Sequence, residues 1–101
     1  MKMIYVTCNV SVRDPLINIL EDNKVSDYQI IEQVPAKNVK GEPRLNTAVW
    51  PSHNSSIFMQ FMDDNRAKAI MEKIREFNQN AYNDNELATA CMWTLNDYFY
   101  D

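Results

Sequence analysis

The sequence predicts an α+β fold: a four-stranded antiparallel sheet with two helices packed on one of its faces. Three observations point there. Four segments carry the two-residue alternation or the short apolar runs of strands, two carry the longer apolar period of helices, and they follow one another as β-α-β-β-α-β. With 101 residues the chain has room for one core, so residues 1–101 are read as a single domain.

The first strand is read from Ile4, Val6, Cys8 and Val10 on one face and Met3, Tyr5, Thr7 and Asn9 on the other. Asp14-Pro15 then supplies an N-cap followed by proline at the first helical position, and Ser11 with Asp14 is an alternative capping box that starts the helix earlier. Leu16, Ile17, Ile19 and Leu20 form the apolar stripe of this short helix, and Asn23 stops it. Tyr28 to Val34 is a second strand, rich in β-branched and aromatic residues and ended by Pro35.

A third strand runs from Ser56 to Met62, with Ile57, Met59 and Phe61 on one side and Phe58 and Met62 on the other. A strand apolar on both faces sits between two covering layers. Asp63 or Asp64 caps the second helix, whose Ala67, Ile70, Met71, Ile74 and Phe77 recur at helical spacing. The polar stretch Asn78 to Asn85 is a turn-prone connection, Leu87 to Leu95 the fourth strand, and Asp97 to Asp101 an aromatic, acidic tail.

This order is the ferredoxin-like split βαβ arrangement, and right-handed crossovers place both helices on one side of the sheet. The other side is then bare. The sequence puts Phe58 and Met62, Met3 and Tyr5, and the alternate positions Ala88, Ala90 and Met92 there, more apolar surface than soluble monomers tolerate. A second copy of the chain is the expected cover, since most soluble oligomers are homo-oligomers.

Between strands two and three, residues 35–55 break all periodicity. They hold the only Gly, three of the four Pro, the only His and one of the two Trp. Loops this long inside compact domains are binding loops, lids or insertions, so candidate function is placed here. Glu42, Arg44, Thr47, Trp50, His53 and Asn54 are the candidate ligand-binding residues. Arg44 has the geometry to fork onto a carboxylate or phosphate, or to form an intersubunit salt bridge; Trp50 offers a cleft wall or a plug that docks the loop. Lys37, Lys40 and Arg44 form a basic patch suited to a small anion or simply to solvation of the loop.

Composition narrows the function classes. A net charge of −4 and the absence of a basic stripe exclude a phosphate-backbone binder, so no nucleic-acid partner is expected. No apolar run approaches a membrane span and none has the pattern of a secretion signal, so direct membrane insertion is not expected. Cys8 and Cys91 stand alone in apolar contexts, which reads as two free buried thiols in a reducing cytoplasm, a disulfide between them being the lesser alternative. His53 invites a soft-metal reading, but one His and two Cys fall short of a four-ligand zinc site unless subunits share ligands. No cofactor is expected. No His lies near either Cys in sequence and no carboxylate pair suggests acid–base work, so an enzyme is not expected either.

The element order, together with Gly41-Glu42-Pro43-Arg44-Leu45-Asn46-Thr47-Ala48-Val49-Trp50-Pro51 and Asn54-Ser55-Ser56-Ile57-Phe58, resembles small proteins of the PII-like superfamily, which includes the nitrogen regulatory PII and CutA branches. The resemblance implies a homotrimer with three sheets facing inward and a mobile loop between strands two and three. It also implies a small-molecule or ion effector bound between subunits, and a signal passed to a membrane transporter, an efflux component or an enzyme. Some relatives are associated with metal handling. The chain departs from the pattern at Ala48, where His is usual, and at Ser52, where Gly is usual. The glycine and lysine pattern that classical PII proteins use to hold ATP phosphates is absent, as are the CutA features. Two further readings are a small enzyme of the dimeric α/β-barrel type, which shares the element order, and a CutA-like metal-binding protein.

Overall fold

The computed structural model describes residues 1–100; Asp101, the last residue of the predicted tail, lies outside the described residues. Strands β1 (Lys2–Asn9), β2 (Tyr28–Val34), β3 (Asn54–Phe61) and β4 (Thr89–Thr94) alternate with helices α1 (Arg13–Asp22) and α2 (Asp64–Gln79) in the expected order. The strands form one sheet in the order β2-β3-β1-β4, with every neighbouring pair antiparallel. This is the ferredoxin-like α+β fold.

Register decides which side chains meet the helices. Ile4 lies opposite Met59, Val6 opposite Ile57 and Cys8 opposite Ser55, and all six are buried. Leu16 and Leu20 of α1 and Ala67, Ile70 and Ile74 of α2 close over them, so the core is a single layer between sheet and helices. Asp63 caps α2 through its carboxylate, which accepts from the Asn65 N–H at 2.9 Å.

Several boundaries and faces differ from the sequence reading. Helix α1 starts at Arg13 after a 3₁₀ turn over Val10–Val12; Asn9 caps that turn, accepting from the Ser11 N–H at 3.1 Å. Asp14 and Pro15 therefore sit inside the first helical turn, and neither Asp14 nor the Ser11 box is the cap. Asn23 does end the helix, its side chain donating to the Ile19 carbonyl at 2.8 Å. Strand β3 takes in Asn54 and Ser55 because Asn54 pairs with Asn9 and Val34, which shortens the loop to residues 35–53. Strand β4 starts at Thr89 because the Asn78 side chain holds both backbone groups of Ala88, each at 2.8 Å.

The parity of β4 is also reversed. Met3 lies opposite Trp93 and Tyr5 opposite Cys91, so Cys91 and Trp93 face away from the helices, while Ala88, Ala90 and Met92 pack against the core. Cys8 and Cys91 thus project to opposite faces of the sheet; Cys8 is buried and Cys91 exposed, which corrects the expectation of two buried thiols and removes the disulfide. Burial pushes the Cys8 thiol up to about 11, with Arg44 and Arg13 pulling weakly the other way.

The uncovered face carries Met3, Tyr5, Phe58, Cys91 and Trp93 together with Ile31. The rings of Tyr5 and Phe58 pack at a tilt of 47°, their centroids 4.8 Å apart. Ile31 is 48% exposed and Trp93 43%, and Met62 just beyond β3 reaches 66%. Among the described residues, no helix is long and apolar enough to cross a membrane.

Candidate functional site

The loop between β2 and β3 is built from two closed turns. Ala36 and Arg44 exchange both backbone hydrogen bonds at 2.8 Å, forming an antiparallel bridge that pinches off residues 37–43 as a separate excursion. Residues 45–52 make the second turn. There the Trp50 carbonyl accepts from the Leu45 and Thr47 N–H groups at 3.2 and 2.9 Å, and the Ser52 carbonyl accepts from the Asn46 N–H at 2.8 Å. Thr47 Oγ1 accepts from the Trp50 N–H at 3.0 Å. The turn bends through Asn46 and Ser52, both in the left-handed region at φ 57° and 72°. Aperiodic sequence here conceals hydrogen-bonded structure.

Arg44 anchors the loop to the sheet. Its side chain is only 5% exposed, and its Nε donates to Asn54 Oδ1 at 2.7 Å. Asn54, fully buried at the start of β3, passes the connection on: its Nδ2 donates to Thr7 Oγ1 at 3.0 Å and more weakly to Asn38 Oδ1 at 3.4 Å. A second Arg44 nitrogen reaches the Glu42 carbonyl at 3.4 Å. Among the described residues, the partners of this guanidinium are an amide and a carbonyl, not a carboxylate. Burial accordingly pulls its pKa below the usual arginine value, with Cys8 pulling it slightly upward. A cation so placed is incompletely compensated and favours an anion nearby.

Such a space exists beside it. A cavity of about 400 Å³ opens between the excursion and the turn before β4, lined by Lys37, Asn38, Lys40, Arg44, Asp84 and Thr89 among others. Three cations against one carboxylate give it a positive excess. A cavity of similar size between the ends of α1 and α2, bounded by Asp22, Lys73, Glu76 and Glu86, has the opposite balance.

The structure brings together only some of the predicted site residues. Arg44 and Asn54 bond directly, and Glu42 joins them through its backbone, while its side chain is exposed. Thr47 and Trp50 belong to the separate outer turn, with Trp50 39% exposed. His53 is half-buried and its carbonyl accepts from the Val10 N–H at 3.1 Å, tying the end of the loop to the end of β1. Among the described residues, no three His, Cys, Asp or Glu side chains come together in a way that could hold a metal. The sequence reading missed Asn38, whose enclosed Nδ2 has no partner, and Asn85, which receives the Glu42 N–H at 2.9 Å. The polar composition of residues 78–85 marked a turn but gave no sign that it meets the loop.

No family model matches the chain, and no curated protein matches it. Solved structures do. The structure of CPII from Thiomonas intermedia, bound to ADP and bicarbonate, superposes with a TM-score of 0.69 at 11% identity, covering 91% of this chain and 82% of that one. Another CPII structure, bound to ADP, AMP and bicarbonate, gives 0.68 at 11% identity over 91% and 82%. A protein of Thermus thermophilus described as a PII-like signaling protein gives 0.60 at 15% identity, covering 91% of this chain and 83% of that one. The chain shares the fold of these structures.

Proposed function

We propose that the protein is a PII-like regulatory protein, not a catalyst, that acts as a homotrimer and senses a small anionic molecule through the loop over residues 35–53. The observation that carries this reading is the cationic cavity beneath the loop, where Lys37 and Lys40 join a buried Arg44 that has no carboxylate partner among the described residues. An anion there would offset the charge of Arg44 and reach both walls of the cavity, so binding would change how firmly the excursion is held. The cations come from the loop itself, in place of the glycine and lysine pattern that the chain lacks.

The homotrimer reading is supported by the apolar face of the sheet, which a second and third copy would cover. The exposed Val39 and Val49 at the two turns would present the signal to a transporter or enzyme. In solution the chain is expected at three times its own mass, and Trp93→Asp is expected to shift that mass to the single chain. ADP with bicarbonate, the pair seen on CPII, is expected to raise the melting temperature by several degrees, and Lys37→Ala with Lys40→Ala to abolish the rise. A dimer at all concentrations would instead favour the α/β-barrel reading. A wild-type protein indifferent to nucleotides and small anions would overturn anion sensing.

A further inference from the structure

We propose that Asn85 is a latch that holds the excursion of residues 37–43 shut against the turn before β4, and that its release opens the cavity. Its use in signalling rests on the reading above; its existence does not. The base of the excursion is fixed by the two Ala36 and Arg44 bonds. Beyond that base, the short hydrogen bond from the excursion to the body is the one the Glu42 N–H donates to Asn85 Oδ1 at 2.9 Å. The other two, from Asn54 to Asn38 and from Arg44 to the Glu42 carbonyl, are stretched to 3.4 Å.

The receiving side is preset. The Asn85 N–H donates to Asn83 Oδ1 at 2.9 Å, and its carbonyl accepts from Asn9 Nδ2 at 3.4 Å, so the turn presents its side chain whether or not the loop is docked. The approach is also fitted to glycine. Gly41 sits at φ +83°, and a Cβ there would lie 2.7 Å from Asn85 Oδ1 and 3.3 Å from the Asp84 carbonyl. The only Gly of the chain stands where the excursion touches the turn.

Two features keep the latch light. Val39 and Lys40 at the tip are exposed, so little apolar burial reinforces docking. Asn38 Nδ2 is enclosed with no acceptor among the described residues, a penalty that the docked state carries and release relieves. Docked and released forms therefore lie close in free energy, with one side-chain acceptor tipping the balance. Since the excursion and the turn form opposite walls of the cavity, that same bond sets its aperture.

Trypsin reads the latch directly, because Lys37 and Lys40 both lie in the excursion while Arg44 is buried. Cleavage of an exposed segment follows the population of the released form. Asn85→Ala and Gly41→Ala are each expected to speed cutting after Lys37 and Lys40 about five- to tenfold. Asn85→Asp, which keeps an acceptor for the same N–H, is expected to stay within about twofold of wild type. Wild-type cutting rates in Asn85→Ala, or Asn85→Asp cut as fast as Asn85→Ala, would overturn the latch. If Asn85→Ala fails to fold, Gly41→Ala gives the same readout, and unchanged cutting there is equally fatal. An ADP effect bears on the other proposal: fast cutting of Asn85→Ala without any protection of wild type by ADP and bicarbonate leaves the latch and removes the ligand.

Discussion

The two faces of the sheet are built from the same strands and solve opposite problems. Toward the helices, Ile4, Val6, Ile57 and Met59 are wholly buried among aliphatic neighbours. On the other face, Tyr5, Phe58 and Trp93 share the surface with Thr7, Ser56 and Gln60, and one end of it disappears under the loop through Arg44 and Asn54. The first face is closed by its own chain and needs only apolar complementarity. The second is partly closed by polar contacts of fixed geometry, and the rest of it stays exposed.

Thiol labelling gives the widest separation between them. In the Trp93→Asp variant, which on the trimer reading proposed above leaves the outer face open, a thiol reagent at pH 8 is expected to modify Cys91 and spare Cys8. With its pKa raised to about 11, Cys8 is ionised in roughly one molecule in a thousand at that pH, and burial blocks the reagent as well. Mapping of the label decides it; equal labelling of both positions would dissolve the distinction.

Truncation comes next. Ile57→Ala on the helix face should lower unfolding free energy by about 2–5 kcal/mol, because a fully buried side chain leaves a cavity that the sheet cannot close. Denaturant titration measures this, and a loss below about 1 kcal/mol would show that the core repacks freely.

A smaller loss, about 1–3 kcal/mol, is expected from Asn54→Ala, which strands the Arg44 guanidinium without its 2.7 Å acceptor. Arg44→Met in the Asn54→Ala background should recover part of it, since both polar partners are then gone. Failure of the double variant to recover would mean that Arg44 has another partner in solution.

The fold was legible because its elements advertise themselves. Ala67, Ile70 and Ile74 recur at helical spacing, and Ile4, Val6 and Cys8 alternate as a half-buried strand must. The face of β4 was not legible, because Ala90 and Met92 are as apolar as Cys91 and Trp93, and only the pairing of Lys2 with Thr94 assigns each pair its side. The cap of α1 was hidden for a similar reason: Asp14-Pro15 satisfies the usual start signal, yet Asn9 starts a 3₁₀ turn ahead of it. At the candidate site, Arg44 and Asn54 could be picked out as unusual residues in a loop. Their mutual bond could not, nor could the approach of Gly41 to Asn85, since these contacts span ten and more than forty positions and depend on how the loop folds back.

The bridge between Ala36 and Arg44 makes the excursion a replaceable part. Residues joined by a reciprocal pair of backbone bonds lie about 5.5 Å apart, a gap that a two-residue hairpin turn spans without strain. The seven residues between them can thus be shortened, lengthened or exchanged while the sheet and the Arg44 anchor stay as they are. On the anion-sensing reading proposed above, part of the specificity would be carried on a cassette clipped to the fold, and two chains with the same core could read different anions by differing there.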